Sequence, residues 1–193
     1  MKLAKLFNKP RKLKCRTPKG RRWNKNDLTY SLLGRIPKAF SSKKQVLKNL
    51  ARIFQMIEQN GDIGFTYIPE DETADIRIRF SPFKGEPFDG PDGILAYAFF
   101  PCPHKKHMES GDIFFDPSEK WTVSRVAAFF GRGIHFQTIA LHEAFHAVGV
   151  QHIKNKTSIM YPEYRGPSTK LKKIDRRQIG LRYPKHKCKH ENH

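Results

Sequence analysis

A chain of 193 residues is long enough to bury the core of one ordinary domain, so neither disulfides nor metals are needed merely to hold it together. Lys plus Arg is 37 and Asp plus Glu is 18, and the resulting net charge of +19 favours polyanionic surroundings such as acidic glycans, nucleic acid or anionic membrane without choosing among them. Three cysteines, Cys15, Cys102 and Cys188, exclude a disulfide scaffold, and no apolar run reaches the length of a membrane span or forms the core of a signal peptide.

The charge is uneven along the chain. Lys2 to Lys25 holds eleven Lys or Arg and no acid, and the stretch after Lys170 is again rich in Lys, Arg and His. Residues 1–21 therefore read as a basic N-terminal arm, 22–184 as one globular domain and 185–193 as a basic tail. Within the domain, Leu28, Tyr30 and Leu32 alternate as in a strand. Ser41 and Ser42 then offer an N-cap, and from Lys43 to Asn60 the residues Val46, Leu47, Leu50, Phe54 and Ile57 recur at helical spacing, with Gly61 as the stop. Ile76, Ile78 and Phe80 predict a strand whose Asp75, Arg77 and Arg79 face water, and Ile94 to Phe100 and Asp112 to Phe115 predict two more. Phe136 to Val148 is apolar almost all round and predicts a buried helix, interrupted by Gln137, Thr138, His142, Glu143 and His146. Lys172 to Arg182 predicts a last helix, with Ile174, Ile179 and Leu181 as its apolar side.

The buried helix carries the chemistry. His142-Glu143-Ala144-Phe145-His146-Ala147-Val148-Gly149-Val150-Gln151-His152 fits HExxHxxGxxH, the pattern of the metzincin zinc peptidases. Histidines four apart project from one helix face a turn apart, close enough to share a tetrahedral zinc ion. Gly149 reaches a positive φ cheaply, so the helix can end there and bring His152 back as third ligand, leaving a fourth position for water. Glu143, beside His142, is placed to reach that water but not the metal, which makes it a general base.

From about Arg22 to Tyr183 the sequence resembles the matrix metalloproteinases. Trp23 and Leu28-Thr29-Tyr30 resemble that family's first strand, Pro87-Phe88-Asp89-Gly90-Pro91 its calcium loop, Leu95-Ala96 its substrate-binding edge strand, and Ser158-Ile159-Met160-Tyr161-Pro162 its Met-turn. The resemblance implies an α+β metzincin fold: a twisted, mixed five-stranded sheet with one antiparallel edge strand, and three helices. It implies a zinc endopeptidase of extracellular polypeptides, monomeric, with Met160 beneath the ligands, Pro162 and Tyr164 walling the S1′ pocket and Thr138 at its base. It also implies a structural calcium ion on Asp89, Asp116 and Glu119, with carbonyls near Gly90, Asp92 and Ile94 completing the shell.

The sequence departs from the family in three places. Pro82, Lys84, Tyr97 and Phe114 stand where the family holds a second, structural zinc, so a single zinc is expected, with the two aromatics filling the space. Cys102, His104 and His107 cluster nearby and read as a solvated loop. Phe145 replaces a usual glycine in the active-site helix and requires repacking around it. Lys14-Cys15-Arg16-Thr17-Pro18 resembles part of the cysteine switch, with Arg16 and Lys19 in place of glycine and aspartate; Cys15 marks either a prodomain remnant or a truncated, constitutively open form. An alternative from another class is a polyanion-binding protein whose basic arms grip heparan-like glycan or nucleic acid while the protease fold is incidental. The retained Glu143 separates the two, because a binder has no use for it.

Overall fold

The computed structural model describes residues 22–83, 88–102 and 110–185. Strand β1 (Asp27–Leu33) lies at the heart of a sheet ordered β2-β1-β3-β5-β4, with β2 (Gly64–Tyr67), β3 (Ile76–Arg79), β4 (Ala96–Ala98) and β5 (Ile113–Phe115). The pairs β1–β2, β1–β3 and β3–β5 are parallel, while β4 runs antiparallel to β5 at one edge. This is the mixed sheet implied by the resemblance.

Helix α1 (Lys43–Glu58) starts where Ser42 Oγ accepts the Gln45 amide, and Val46, Leu50, Ile53, Phe54 and Ile57 lie on its buried face. Aromatic rings tie it to the sheet: Tyr30 meets Phe54 at 4.3 Å between centroids. Helix α3 (Phe136–Ala147) is buried along nearly its whole length, as an all-apolar pattern requires. Helix α4 (Lys173–Arg182) closes the domain.

Between β5 and α3 the chain makes a unit that periodicity did not reveal: β6 (Trp121–Thr122), a one-turn helix α2 (Arg125–Phe129) and β7 (Ile134–His135), the two strands pairing in parallel. Strand β2 was likewise not foreseen, since Gly64-Phe65-Thr66-Tyr67 is short and only half-buried. Two side-chain expectations are corrected. Arg77 and Arg79 do not simply face water: Arg77 forks onto the buried Asp112, Nε to Oδ1 and Nη2 to Oδ2 both at 2.8 Å, with Arg79 3.8 Å away. Leu181 is not on the apolar side of α4; it is 64 % exposed, while Ile179 is buried as expected and Tyr183, just past the helix, joins it in the core.

Candidate active site and metal centre

Helix α3 delivers His142 and His146 from one face, and the way it ends delivers His152. Gly149 has φ of 97°, its N–H donates to His146 O at 2.8 Å, and Val150 N–H donates to Phe145 O at 2.8 Å. That pair of bonds is a Schellman stop, which needs a left-handed residue at this position. Three consecutive carbonyls left open at the helix end are capped from outside: Trp23 Nε1 donates to Ala147 O at 2.9 Å, Tyr183 Oη to Val148 O at 3.1 Å, and Arg182 Nε to Gly149 O at 2.8 Å. Both ends of the domain thus fix the turn that carries His152.

The ring nitrogens follow from these constraints. His142 Nδ1 lies 2.7 Å from Ile159 O and His146 Nδ1 lies 2.7 Å from Val150 O. A carbonyl can only accept, so each Nδ1 carries the proton and each Nε2 presents a lone pair. His152 Nε2 stands 3.1 Å from His142 Nε2 and 3.2 Å from His146 Nε2. Nitrogens on a tetrahedral zinc, each about 2.0–2.1 Å from it, are separated by about 3.3 Å, so the spacing suits that ion. Burial lowers the proton affinity of all three rings, that of His142 to a pKa of about 3, and keeps them neutral as metal ligands require.

Glu143 is fully buried beside this cluster, and neither of its carboxylate oxygens has a hydrogen-bond partner. Burial drives its pKa well above the ordinary carboxylate range; a cation among the imidazoles would act in the opposite direction. A buried, unpartnered carboxylate is costly and calls for a reason in function.

The turn after His152 supports the first ligand. Met160 is fully buried, Ile153 N–H donates to Met160 O at 2.9 Å, and the carbonyl of Ile159 holds His142. Ser158 Oγ donates to the buried Asp175 at the start of α4 and accepts the Met160 amide. Sequence reading missed Asp175, although a carboxylate three residues after Lys172 in a helix start is a capping signal, and Asp175 indeed accepts the Lys172 N–H. Phe100 was read only as a strand end, yet its ring meets His146 edge-on at 5.4 Å.

Beside the cluster a cavity of about 320 Å³ is lined by His142, Thr138, Ile159, Tyr161, Glu163 and Tyr164, among others. Tyr164 and Thr138 line this cavity, whereas Pro162 is not among the lining residues although its neighbours on both sides are. Two of the lining residues are joined by two hydrogen bonds: Thr138 Oγ1 donates to Ser168 O at 3.0 Å and accepts the Ser168 amide at 2.8 Å. Leu95 and Ala96 are fully buried, and β4 forms the sheet edge next to α3.

The carboxylates assigned to calcium are less tightly gathered. His142, His146 and His152 have ligand atoms within 4.8 Å of one another, and among the described residues no other set of His, Cys, Asp and Glu comes so close. Asp89 instead accepts the Ile94 amide at 2.7 Å and Glu119 the Asp92 amide at 2.9 Å, while Asp116 Oδ2 is buried without a partner. At the family's second zinc position, Tyr97 and Phe114 stack at 5.3 Å as expected of space-filling aromatics. Phe145 is wholly buried within the core. Cys102 is disulfide-bonded, so its sulfur is not a free ligand. Cys15, Lys84, His104, His107 and the tail beyond residue 185 lie outside the described residues.

The comparison with known proteins agrees with this geometry. The family model for matrixins, peptidase family M10, matches residues 22–183. The chain belongs to the matrixin family. Stromelysin-3 of Mus musculus is 38 % identical over 148 residues, covering 75 % of this chain and 28 % of the relative. Karilysin of Tannerella forsythia is 30 % identical over 159 residues, 81 % of this chain and 32 % of that protein. Matrix metalloproteinase-23 of Bos taurus is 32 % identical over 157 residues, 75 % and 38 % respectively. The matched region thus spans between 28 % and 38 % of the length of these matrixin relatives.

Proposed function

We propose that this matrixin domain is a zinc-dependent endopeptidase that hydrolyses extended polypeptides, with Glu143 as general base. The observation that carries the reading is the pairing of three clustered imidazoles, with the Nδ1 protons of His142 and His146 tied to backbone carbonyls, and a buried carboxylate that bonds to nothing. His142, His146 and His152 would hold the zinc ion, which supplies Lewis-acid chemistry by lowering the pKa of water to about 7 and polarising a carbonyl oxygen. Glu143 takes the proton of the attacking water on a carboxylate oxygen and passes it to the leaving amine. The free edge of β4 around Leu95 and Ala96 lines up the peptide by main-chain bonds, and the cavity walled by Tyr161 and Tyr164 receives the side chain after the cut. Met160 serves as an apolar support for the ligands.

Asp89, Asp116 and Glu119 are the proposed calcium ligands. The orphaned Asp116 oxygen and the Glu119 pKa raised to about 7 by burial and by Asp116 both favour a cation there. The domain acts outside the cell as a monomer in this reading, with the basic arms holding acidic glycans. No helix among the described residues is long and apolar enough to cross a membrane.

The deciding experiment follows cleavage of a quenched peptide by the wild type and by Glu143→Ala, with zinc content measured on both. The expected result is stoichiometric zinc in each, activity only in the wild type, and its loss to a chelator. Equal, chelator-insensitive rates would defeat the proposal.

A further inference from the structure

Helix α2 is built inside out. An ordinary surface helix turns its apolar stripe inward, but here the one buried residue is Ala128, while Val126, Phe129 and Phe130 at its end are 67 %, 75 % and 68 % exposed. The two rings meet edge-on at 5.4 Å, and among the described residues neither makes another ring contact. Large side chains displayed side by side on a surface mark a contact with something else.

The display is held rigidly. Ser124 Oγ accepts the Ala127 amide at 3.1 Å, Arg132 N–H donates to Ala127 O at 2.8 Å, and Ile134 N–H donates to Lys120 O at 2.7 Å, so both ends of the projection are pinned. Gly131 and Gly133, with φ of 70° and 144°, form the tight return. The apolar tip therefore does not fold back onto the domain.

Charge identifies what covers it. Arg125 and Arg132 flank the phenylalanines, Lys120 lies at the base, all three are exposed, and no carboxylate occurs between Glu119 and Glu143. Glu119 itself is only 4 % exposed. The cations outnumber Asp92, the exposed carboxylate that lines one cavity with Lys120, Arg125 and the two rings. Exposed aromatics flanked by cations, on a chain of net charge +19, are complementary to an anionic phospholipid surface, where rings enter the acyl boundary and guanidinium groups meet phosphates. We infer that α2 and the turn after it are a membrane foot that seats this domain on anionic lipid through Phe129 and Phe130. The foot shares no residue with the basic arms or the zinc ligands, and it holds whether or not the proposed peptidase activity does.

The test is co-sedimentation of the full chain with vesicles of phosphatidylcholine, alone or mixed with phosphatidylserine. The wild type is expected to pellet with the mixed vesicles, Phe129→Ala/Phe130→Ala to lose at least about tenfold in partitioning, and Arg125→Gln/Arg132→Gln to lose the preference for the anionic lipid. Unchanged thermal melting of both double variants excludes misfolding. In a second measurement, Trp introduced by Phe129→Trp should be quenched by brominated acyl chains in the same vesicles. Equal pelleting of the wild type and the phenylalanine variant would assign binding to the basic arms and overturn the foot. So would failure of the wild type to pellet, or a vesicle-free dimer that the variant dissociates, which would make a second copy of the chain the occupant.

Discussion

Two groups of side chains proposed as metal ligands in this domain are assembled to different degrees. The three imidazoles converge to Nε2 separations of 3.1 and 3.2 Å about His152, and the backs of His142 and His146 are held by Ile159 O and Val150 O. The carboxylates of Asp89 and Glu119 are each spent on a nearby amide, and Asp116 keeps one oxygen buried and unpaired. The difference is electrostatic. Neutral imidazoles can be packed together by hydrogen bonds alone, whereas neighbouring carboxylates raise one another's pKa and stay apart until a cation joins them. One group is gathered by the fold alone, and the other, if it holds the proposed calcium ion, needs that ion to draw it together.

The largest expected effects lie at the preformed site. His152→Ala should leave the protein without stoichiometric zinc by metal analysis and its peptide hydrolysis at background. Glu143→Gln should keep the zinc while kcat/KM falls by a factor of roughly 10²–10⁴. Zinc retention combined with inactivity is what separates a proton-handling carboxylate from a structural one. Next comes the frame around the turn: Tyr183→Phe removes a hydroxyl that donates to Val148 O and accepts the Trp23 amide, stranding two buried backbone groups. It should lower stability by about 2 kcal/mol in denaturant unfolding. Gly149→Ala places a side chain at φ of 97° and should cost about 1–2 kcal/mol, with weaker zinc retention in competition with a chelator. If these two variants melt alike with and without zinc relative to the wild type, the turn does not organise the metal site.

Much of this contrast could be read from residues in order. The i, i+4 histidines, the glycine three residues later and the third histidine are local, so helix geometry brings the first two together and the glycine stop returns the third. Val46, Leu50, Phe54 and Ile57 likewise revealed α1 because only one face of that helix is buried. What escaped was non-local or too short. The caps on Ala147, Val148 and Gly149 come from Trp23, Tyr183 and Arg182, and the first of these is separated by 124 positions from its acceptor. Strands of two residues, β6 and β7, carry no periodicity to detect. Arg77 and Arg79 alternate with isoleucines as water-facing residues do, and only the tertiary positions of Asp112, and of Glu72 for Arg79, give them their partners.

The smallest expected effect tests the proposed calcium loop through pH. Glu119 has its folded pKa raised from 4.5 to about 7, chiefly by burial and then by Asp116. Between those values the unfolded chain gives up its proton while the native chain keeps it, so the unfolded state binds fewer protons and stability declines as pH rises. Above about 7 this contribution is flat. The buried histidines, whose folded pKa values are lowered, act in the opposite sense, with stability lost as pH falls. Glu119→Gln isolates the carboxylate against that background: relative to the variant, the wild type should lose a few degrees of melting temperature between pH 4.5 and 7. A calcium ion favours the ionised carboxylate, so saturating Ca²⁺ should flatten the wild-type decline and leave Glu119→Gln unchanged. A wild-type profile indifferent to Ca²⁺ would show that Glu119 belongs to the core of the loop and not to a cation site, and the two groups of ligands would then differ in kind as well as in degree of assembly.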